Sequence, residues 1–181
     1  MFQYRKAAKA DAQNIAALHA ENWKLNYRGI LNDDYLDHEV EADRNKVWRE
    51  RFATPRSDMS VILAEKGTEL VGFGCIFYNE NEKYGAYLDN LHVSREFSGK
   101  GIGKVLMSML ASEIVINEER QDMYLWVLTE NTGAIRLYEK LRGQRKEQLM
   151  EKELWEQPVE KIRYYWPNVK TLILDQKLRN S

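Results

Sequence analysis

The clearest periodicity in the chain begins at Ile102. Ile102, Val105, Leu106, Met109 and Leu110 fall at i, i+3, i+4, i+7 and i+8, one apolar face of a helix. Other stretches share that spacing. Ile15, Leu18 and Trp23 predict a helix after Asp11, a plausible N-cap, and Gly29 breaks it. Leu36, Val40, Val47, Trp48 and Phe52 predict helix across 32–52. Ala134, Leu137, Tyr138 and Leu141 form a stripe closed by Gly143.

Between them lie runs of strand character. "MFQYRKA" opens the chain, and "MSVILAE" and "LVGFGCIFY" flank "KGTE" as a hairpin. "YGAYLDNLHV" follows the polar turn "NENEK". "DMYLWVLT" is apolar on both faces, as in a sheet covered on both sides. "KEQLMEKELW" and "VEKIRYYW" around "EQP" read as a last hairpin. The order is βααβββαβαββ. It predicts an α/β protein of mixed α+β type, with a mostly antiparallel sheet and helices on both faces. Residues 1–168 are expected to form a single domain and 169–181 a tail. The apolar stretch Val169 to Leu178 either closes a homodimer or covers the sheet.

Composition narrows the class. The 181 residues are 44% hydrophobic and 30% charged, the balance of a soluble globular domain. Formal net charge is -1 and no long basic block appears, so charge gives no support for a nucleic-acid partner. The N-terminus lacks a signal peptide's apolar core, and no apolar run is long enough to span a membrane. A cytoplasmic protein without membrane attachment is the default expectation. The single cysteine, Cys75, lies in an apolar run and reads as a buried hydrophobe.

Candidate chemistry concentrates in "SREFSGKGIGKVLM". Gly99, Gly101 and Gly103 crowd a helix start, where glycine is otherwise costly. A Walker A loop ending at Gly103-Lys104 needs glycine at 98 and a hydroxyl at 105, but Ser98 and Val105 stand there. A dinucleotide G-x-G-x-x-G needs glycine at 104, where Lys104 stands. What remains is a turn whose backbone N–H groups converge on an anion, aided by the helix dipole and by Lys100 and Lys104. A tight turn without ligand is the plainer alternative.

"LDNLHVSREFSGKGIGKVLM" resembles the acetyl-CoA motif of the GNAT superfamily of N-acyltransferases, whose pattern is [QR]-x-x-G-x-[GA]. Here Ser98, Gly99, Lys100, Gly101, Ile102 and Gly103 occupy the six positions, with Ser98 departing from Gln or Arg. "ENWKLNYRGIL" and "LTENTGAIRLYEKL" resemble two further segments of that family. The resemblance implies acetyl transfer from acetyl-CoA, as cosubstrate and without a metal, to a primary amine on a small molecule, protein or peptide. It implies direct attack in a ternary complex. It implies that Ser98 to Lys104 hold the pyrophosphate, that Leu91 and Val93 offer backbone groups to the pantetheine, and that Asn131 lies by it. Tyr138 matches the tyrosine that protonates the leaving sulfur. At the commonest position of the family's acid this chain has Tyr87, so Asp89, two residues on, becomes the candidate base. Strand alternation would put His92 on the opposite face. The acceptor is expected near Trp23, Tyr27 and Arg28, with Asp33, Asp34, Asp37, Glu39 and Glu41 either attracting a cation or forming a solvated face. The absent acid at 87 keeps a second reading open: a GNAT-like module that binds acyl-CoA as sensor or scaffold without turnover.

Overall fold

The computed structural model describes residues 1–54, 56–152 and 158–174. The strands are β1 (Gln3–Lys6), β2 (Met59–Lys66), β3 (Glu69–Asn81), β4 (Gly85–Val93), β5 (Met123–Leu128), β6 (Gln144–Glu151) and β7 (Val159–Trp166). The α-helices are α1 (Ala12–Asn26), α2 (Asp33–His38), α3 (Val40–Arg51), α4 (Ile102–Asn117) and α5 (Thr132–Lys140). The helix expected across 32–52 is therefore two, broken at Glu39. Part of the expected final hairpin, 153–157, and the tail beyond 174 lie outside the described residues.

One seven-stranded sheet runs β1-β2-β3-β4-β5-β7-β6. The β4–β5 pair is parallel and the other pairs are antiparallel. β7 returns between β5 and β6, an arrangement the linear order did not dictate. Each face has its own core. On one, α4 lays Ile102, Leu106, Leu110 and Ile114 against Ile62, Ile76, Leu88 and Leu125. Gly74 permits that approach, since a Cβ there would sit 2.6 Å from Leu110 Cδ1. On the other, Ile15 and Leu18 of α1 and Trp48 of α3 pack on Val61, Leu63, Phe73 and Cys75. The short turn Val169–Leu172 buries Val169 and Leu172 in the α4-side core, so the described start of the tail covers the fold.

Both faces of β5 are covered, as its pattern predicted, but by different means. Met123, Leu125 and Val127 face the α4-side core, as alternation requires. Its other face is covered by side chains of the neighbouring strand rather than a helix. Arg163 of β7 lies 5.0 Å over the Tyr124 ring and 4.4 Å over Trp126. Lys161 lies 4.8 Å over Trp126. Cation–π attraction thus shields the apolar rings that read as buried.

Two features of β4 position the site. It pairs with β5 only at Ala86 and Tyr87, so its edge from Leu88 to Val93 has no β5 partner. It also carries a bulge. Cys75 pairs with Asn90 and the adjacent Ile76 with Leu88, leaving Asp89 as the extra residue. Leu88 before the bulge and Leu91 and Val93 after it all pack on the α4-side core.

Candidate functional site

On the α4 side the site is main chain. Gly99 and Gly101 have φ of +77° and +83°, left-handed values that L side chains rarely adopt. A Cβ at either would meet nothing within 4 Å, so the backbone there borders open space. The helical ladder of α4 begins with the Val105 N–H donating to the Gly101 carbonyl at 3.2 Å. The amides of Ile102, Gly103 and Lys104 precede it, as the first amides of any helix must. Gly103 has a second duty, since a Cβ there would lie 3.3 Å from Leu137 Cδ2 of α5. Ser98 is exposed, and Lys100 holds its ammonium 4.7 Å over the Phe97 ring. Leu91 and Val93 lie on the unpaired stretch of β4 next to this loop, their side chains packed on the core.

Tyr138 lies on α5 beside Leu137, the residue packed at Gly103. It is buried, with its ring 5.7 Å from Tyr164 and 6.0 Å from Trp166. Burial raises its phenol pKa, and Tyr27 of α1 is near enough to raise it further. Tyr27 is itself raised by burial. Tyr27 thus bears on Tyr138 although their helices pack on opposite faces of the sheet. Asn131 is the N-cap of α5, its Oδ1 accepting from the Ala134 N–H at 3.1 Å.

The opposite face of β4 is built from side chains. Arg51 of α3 places Nη1 2.7 Å from Asp89 Oδ2 and donates from the same nitrogen to Asn90 Oδ1 at 3.1 Å. The bulge turns Asp89 and Asn90 to one side, which lets a single guanidinium hold both. The bulge also reverses the parity beyond it. His92 pairs with Phe73, a residue of the α1–α3 core, and its ring centroid lies 4.6 Å from His19 of α1. The expectation that His92 faces away from Asp89 is therefore overturned, because uninterrupted alternation does not survive an extra residue.

Behind His92 stands a polar group in an apolar setting. His19 is 1% exposed, and Trp48 Nε1–H donates to its Nδ1 at 3.0 Å. Its Nε2 has no hydrogen-bond partner among the described residues. Burial pushes the His19 pKa far down, with His92, Arg44 and Arg51 adding to it. Burial takes His92 down to about 4, and Arg44 adds to the effect. Both rings are neutral at pH 7.

Of the expected acceptor residues, Trp23 and Tyr27 join this cluster and Arg28 does not. Trp23 meets His19 edge-on at 5.3 Å and Tyr27 at 5.3 Å. Its ring face carries Arg44 at 4.3 Å, so the cation–π position is filled from within. Arg28 is turned to α2, with Nη2 2.7 Å from Asp37 and Nη1 3.4 Å from Asp33. Glu41 pairs with Lys24 at 2.6 Å. The acidic stretch is thus largely matched by its own cations. Sequence reasoning missed Arg51 and His19. No local signal marks either, since each is defined by what lies across the sheet.

The model of the Acetyltransferase (GNAT) family matches residues 17–143. The chain belongs to the GNAT acetyltransferase family. It is an acyltransferase with the mixed sheet of that family. N-acetyltransferase YuaI of Bacillus subtilis is 26% identical over 137 residues, 75% of this chain and 76% of that protein. The spermine/spermidine N(1)-acetyltransferase of Bacillus subtilis is 32% identical over 77 residues, 40% of this chain and 51% of that protein. Arabidopsis thaliana NAA60, solved in complex with acetyl-CoA, superposes with a TM-score of 0.69 at 18% identity. That match covers 92% of this chain and 98% of NAA60. Among the described residues no helix of this GNAT protein is long and apolar enough to cross a membrane.

Proposed function

We propose that this GNAT protein transfers the acetyl group of acetyl-CoA directly to a primary amine. The observation that carries the reading is the junction of an unpaired β4 edge with a loop of left-handed glycines and unladdered amides. An extended amide-bearing arm fits the first, by strand addition, and a pyrophosphate fits the second. Bound acetyl-CoA supplies an acyl group activated as a thioester.

The residues then divide the work. The amides of Gly101 to Lys104, with Lys100 and Lys104 as auxiliary charges, hold the anion. Ser98, Gly99 and Ile102 shape the turn. Backbone groups of Leu91 and Val93 bind the arm, and Asn131 caps α5 beside it. Tyr138 donates its proton to the leaving sulfur. Its phenol, raised by burial, is protonated at pH 7, the form a general acid starts from. The acceptor enters on the α1–α3 side past Trp23 and Tyr27, where Asp89 and Arg51 form one wall. An alkylammonium has a pKa of about 10.4 and must lose a proton before it attacks.

The relatives name two acceptor kinds, a polyamine for the Bacillus enzyme and, for an N-alpha-acetyltransferase 60 of Xenopus tropicalis 43% identical over 56 residues, the protein α-amine. A CoA-thiol release screen over polyamines, amino acids, aminoglycosides and peptides tests the proposal. Release with one acceptor class is the expected result. Tight acetyl-CoA binding with no release across the panel would favour a non-catalytic sensor or scaffold instead.

A further inference from the structure

The face of β4 turned to α1 and α3 presents two groups able to take a proton, Asp89 and His92, and they are not equivalent. Asp89 is 19% exposed and lies 2.7 Å from Arg51, which also binds Asn90. The ion pair ties the Asp89 carboxylate to α3. His92 is half-buried and has no such partner. It stands between Leu91 and Val93, the residues next to the glycine loop, and the bulge at Asp89 turns its ring to the acceptor side. His19 abuts it at 4.6 Å with the planes inclined by 40°. Trp48 occupies the Nδ1 of His19 and so places the His19 proton on Nε2, an N–H that meets no acceptor among the described residues. An unmatched donor this deep is costly. Its cost is accounted for if a ligand or a water in the working site completes it.

We propose that His92 takes the proton from the acceptor's ammonium and that His19 is the positioning residue behind it. One N–H bond of the ammonium breaks, and its electron pair stays on the amine nitrogen. A new N–H bond forms at a ring nitrogen of His92, and the proton then leaves to solvent. The groups around His92 suit a brief charge. His19 faces it from α1, and Arg44 brings positive charge from α3. Phe73 of β3 is uncharged, and Asp89 on its own strand is already engaged by Arg51. Burial and the Arg44 guanidinium oppose a lasting imidazolium, so the ring returns to the neutral form after each turnover.

The inference rests on the acetyltransferase reading, and the experiment separates the two. Using the screen's best amine, CoA release is followed from pH 6 to 9 for the wild type, His92→Ala, His92→Gln, His19→Gln and Asp89→Asn. Acetyl-CoA binding is measured by calorimetry on each. His92→Ala should lose about 10²- to 10⁴-fold in kcat/KM while binding acetyl-CoA within about threefold of wild type. Added imidazole should restore His92→Ala in proportion to the imidazole free base, which repair of a merely structural defect would not do. His92→Gln keeps the side-chain volume and should show the same order of loss. His19→Gln should lower kcat about tenfold with KM for acetyl-CoA unchanged and no imidazole rescue. Both His92 variants within about threefold of wild type would overturn the proposal, as would a larger loss in Asp89→Asn than in either. Binding of acetyl-CoA with no release by the wild type to any amine would overturn the enzyme reading, and this inference with it.

Discussion

The two sides of β4 are made of different material. Toward α4, the site consists of backbone: the loop Gly99 to Lys104, the start of one helix and a strand edge without a neighbour. Toward α1 and α3 it consists of side chains gathered from separate elements, His19, Trp23, Arg44, Arg51, Asp89 and His92. A backbone site needs only conformations, and glycine supplies those wherever it is placed. A side-chain site needs partners, and partners are a matter of packing. The glycine loop should tolerate side-chain changes and fail with backbone ones, Tyr138 being the side chain on that face given a chemical role. The side-chain site should do the reverse.

Four measurements bear on that contrast. The largest expected effect belongs to Tyr138→Phe, which removes one oxygen from a buried ring. Turnover should fall by about 10²- to 10³-fold while acetyl-CoA binding stays within about threefold. Unchanged turnover would take Tyr138 out of the chemistry and leave it as core. Next is Gly101→Val, which forces a β-branched residue to a φ of +83°. The strain is of order 1–3 kcal/mol, so acetyl-CoA affinity measured by calorimetry should weaken about 10- to 100-fold. Ser98→Ala, in the same loop, should weaken it by less than about threefold, because Ser98 is exposed and contributes no needed conformation. Equal losses in both would mean that side chains, not amides, hold the ligand.

The third measurement is of pH. His92 in the folded protein is at about 4, below the usual value of about 6.5, and His19 is shifted the same way. The unfolded chain therefore binds more protons in that window. Stability from keeping the rings neutral is whole above about pH 6.5 and is lost as pH falls toward 4. Thermal melts should show a loss of up to about 1.4 kcal/mol per pH unit for each ring. His92→Gln should show a shallower slope than wild type. Parallel slopes would mean that His92 is not held neutral by its surroundings.

The smallest effect is expected at Arg28. It is tied to Asp37 and Asp33 of α2 rather than to the site. Arg28→Ala should leave kcat/KM for the best acceptor within about twofold. A large rise in KM for the acceptor would restore it to the binding surface.

Most of the fold was legible in the linear pattern, since period 3.6 and period 2 separate helices from strands before any packing is known. What escaped was what other elements decide. The two apolar faces of "YLWVL" predicted a sheet covered on both sides, but not that Arg163 and Lys161 would cover one of them. Asp11 precedes α1 as expected, yet it makes no side-chain cap to that helix and accepts instead from Arg5 at 2.7 Å. The acidic residues 33–41 read either as attracting a cation or as a solvated face, and only the packing showed that Arg28 pairs with Asp33 and Asp37.

The sequence by itself determined the family, the order of most elements and the left-handed glycine turn of the candidate site. Glycine spacing is a local property, and a left-handed turn before a helix needs no distant partner to form. Only the tertiary structure decided which side chains share the other half. The cause is one extra residue, Asp89, in the pairing of β4 with β3. It reverses the alternation downstream, turns His92 toward His19 and lets Arg51 reach Asp89 and Asn90 together. A bulge forms where two strands meet, so its position depends on both strands and is not written in either one alone.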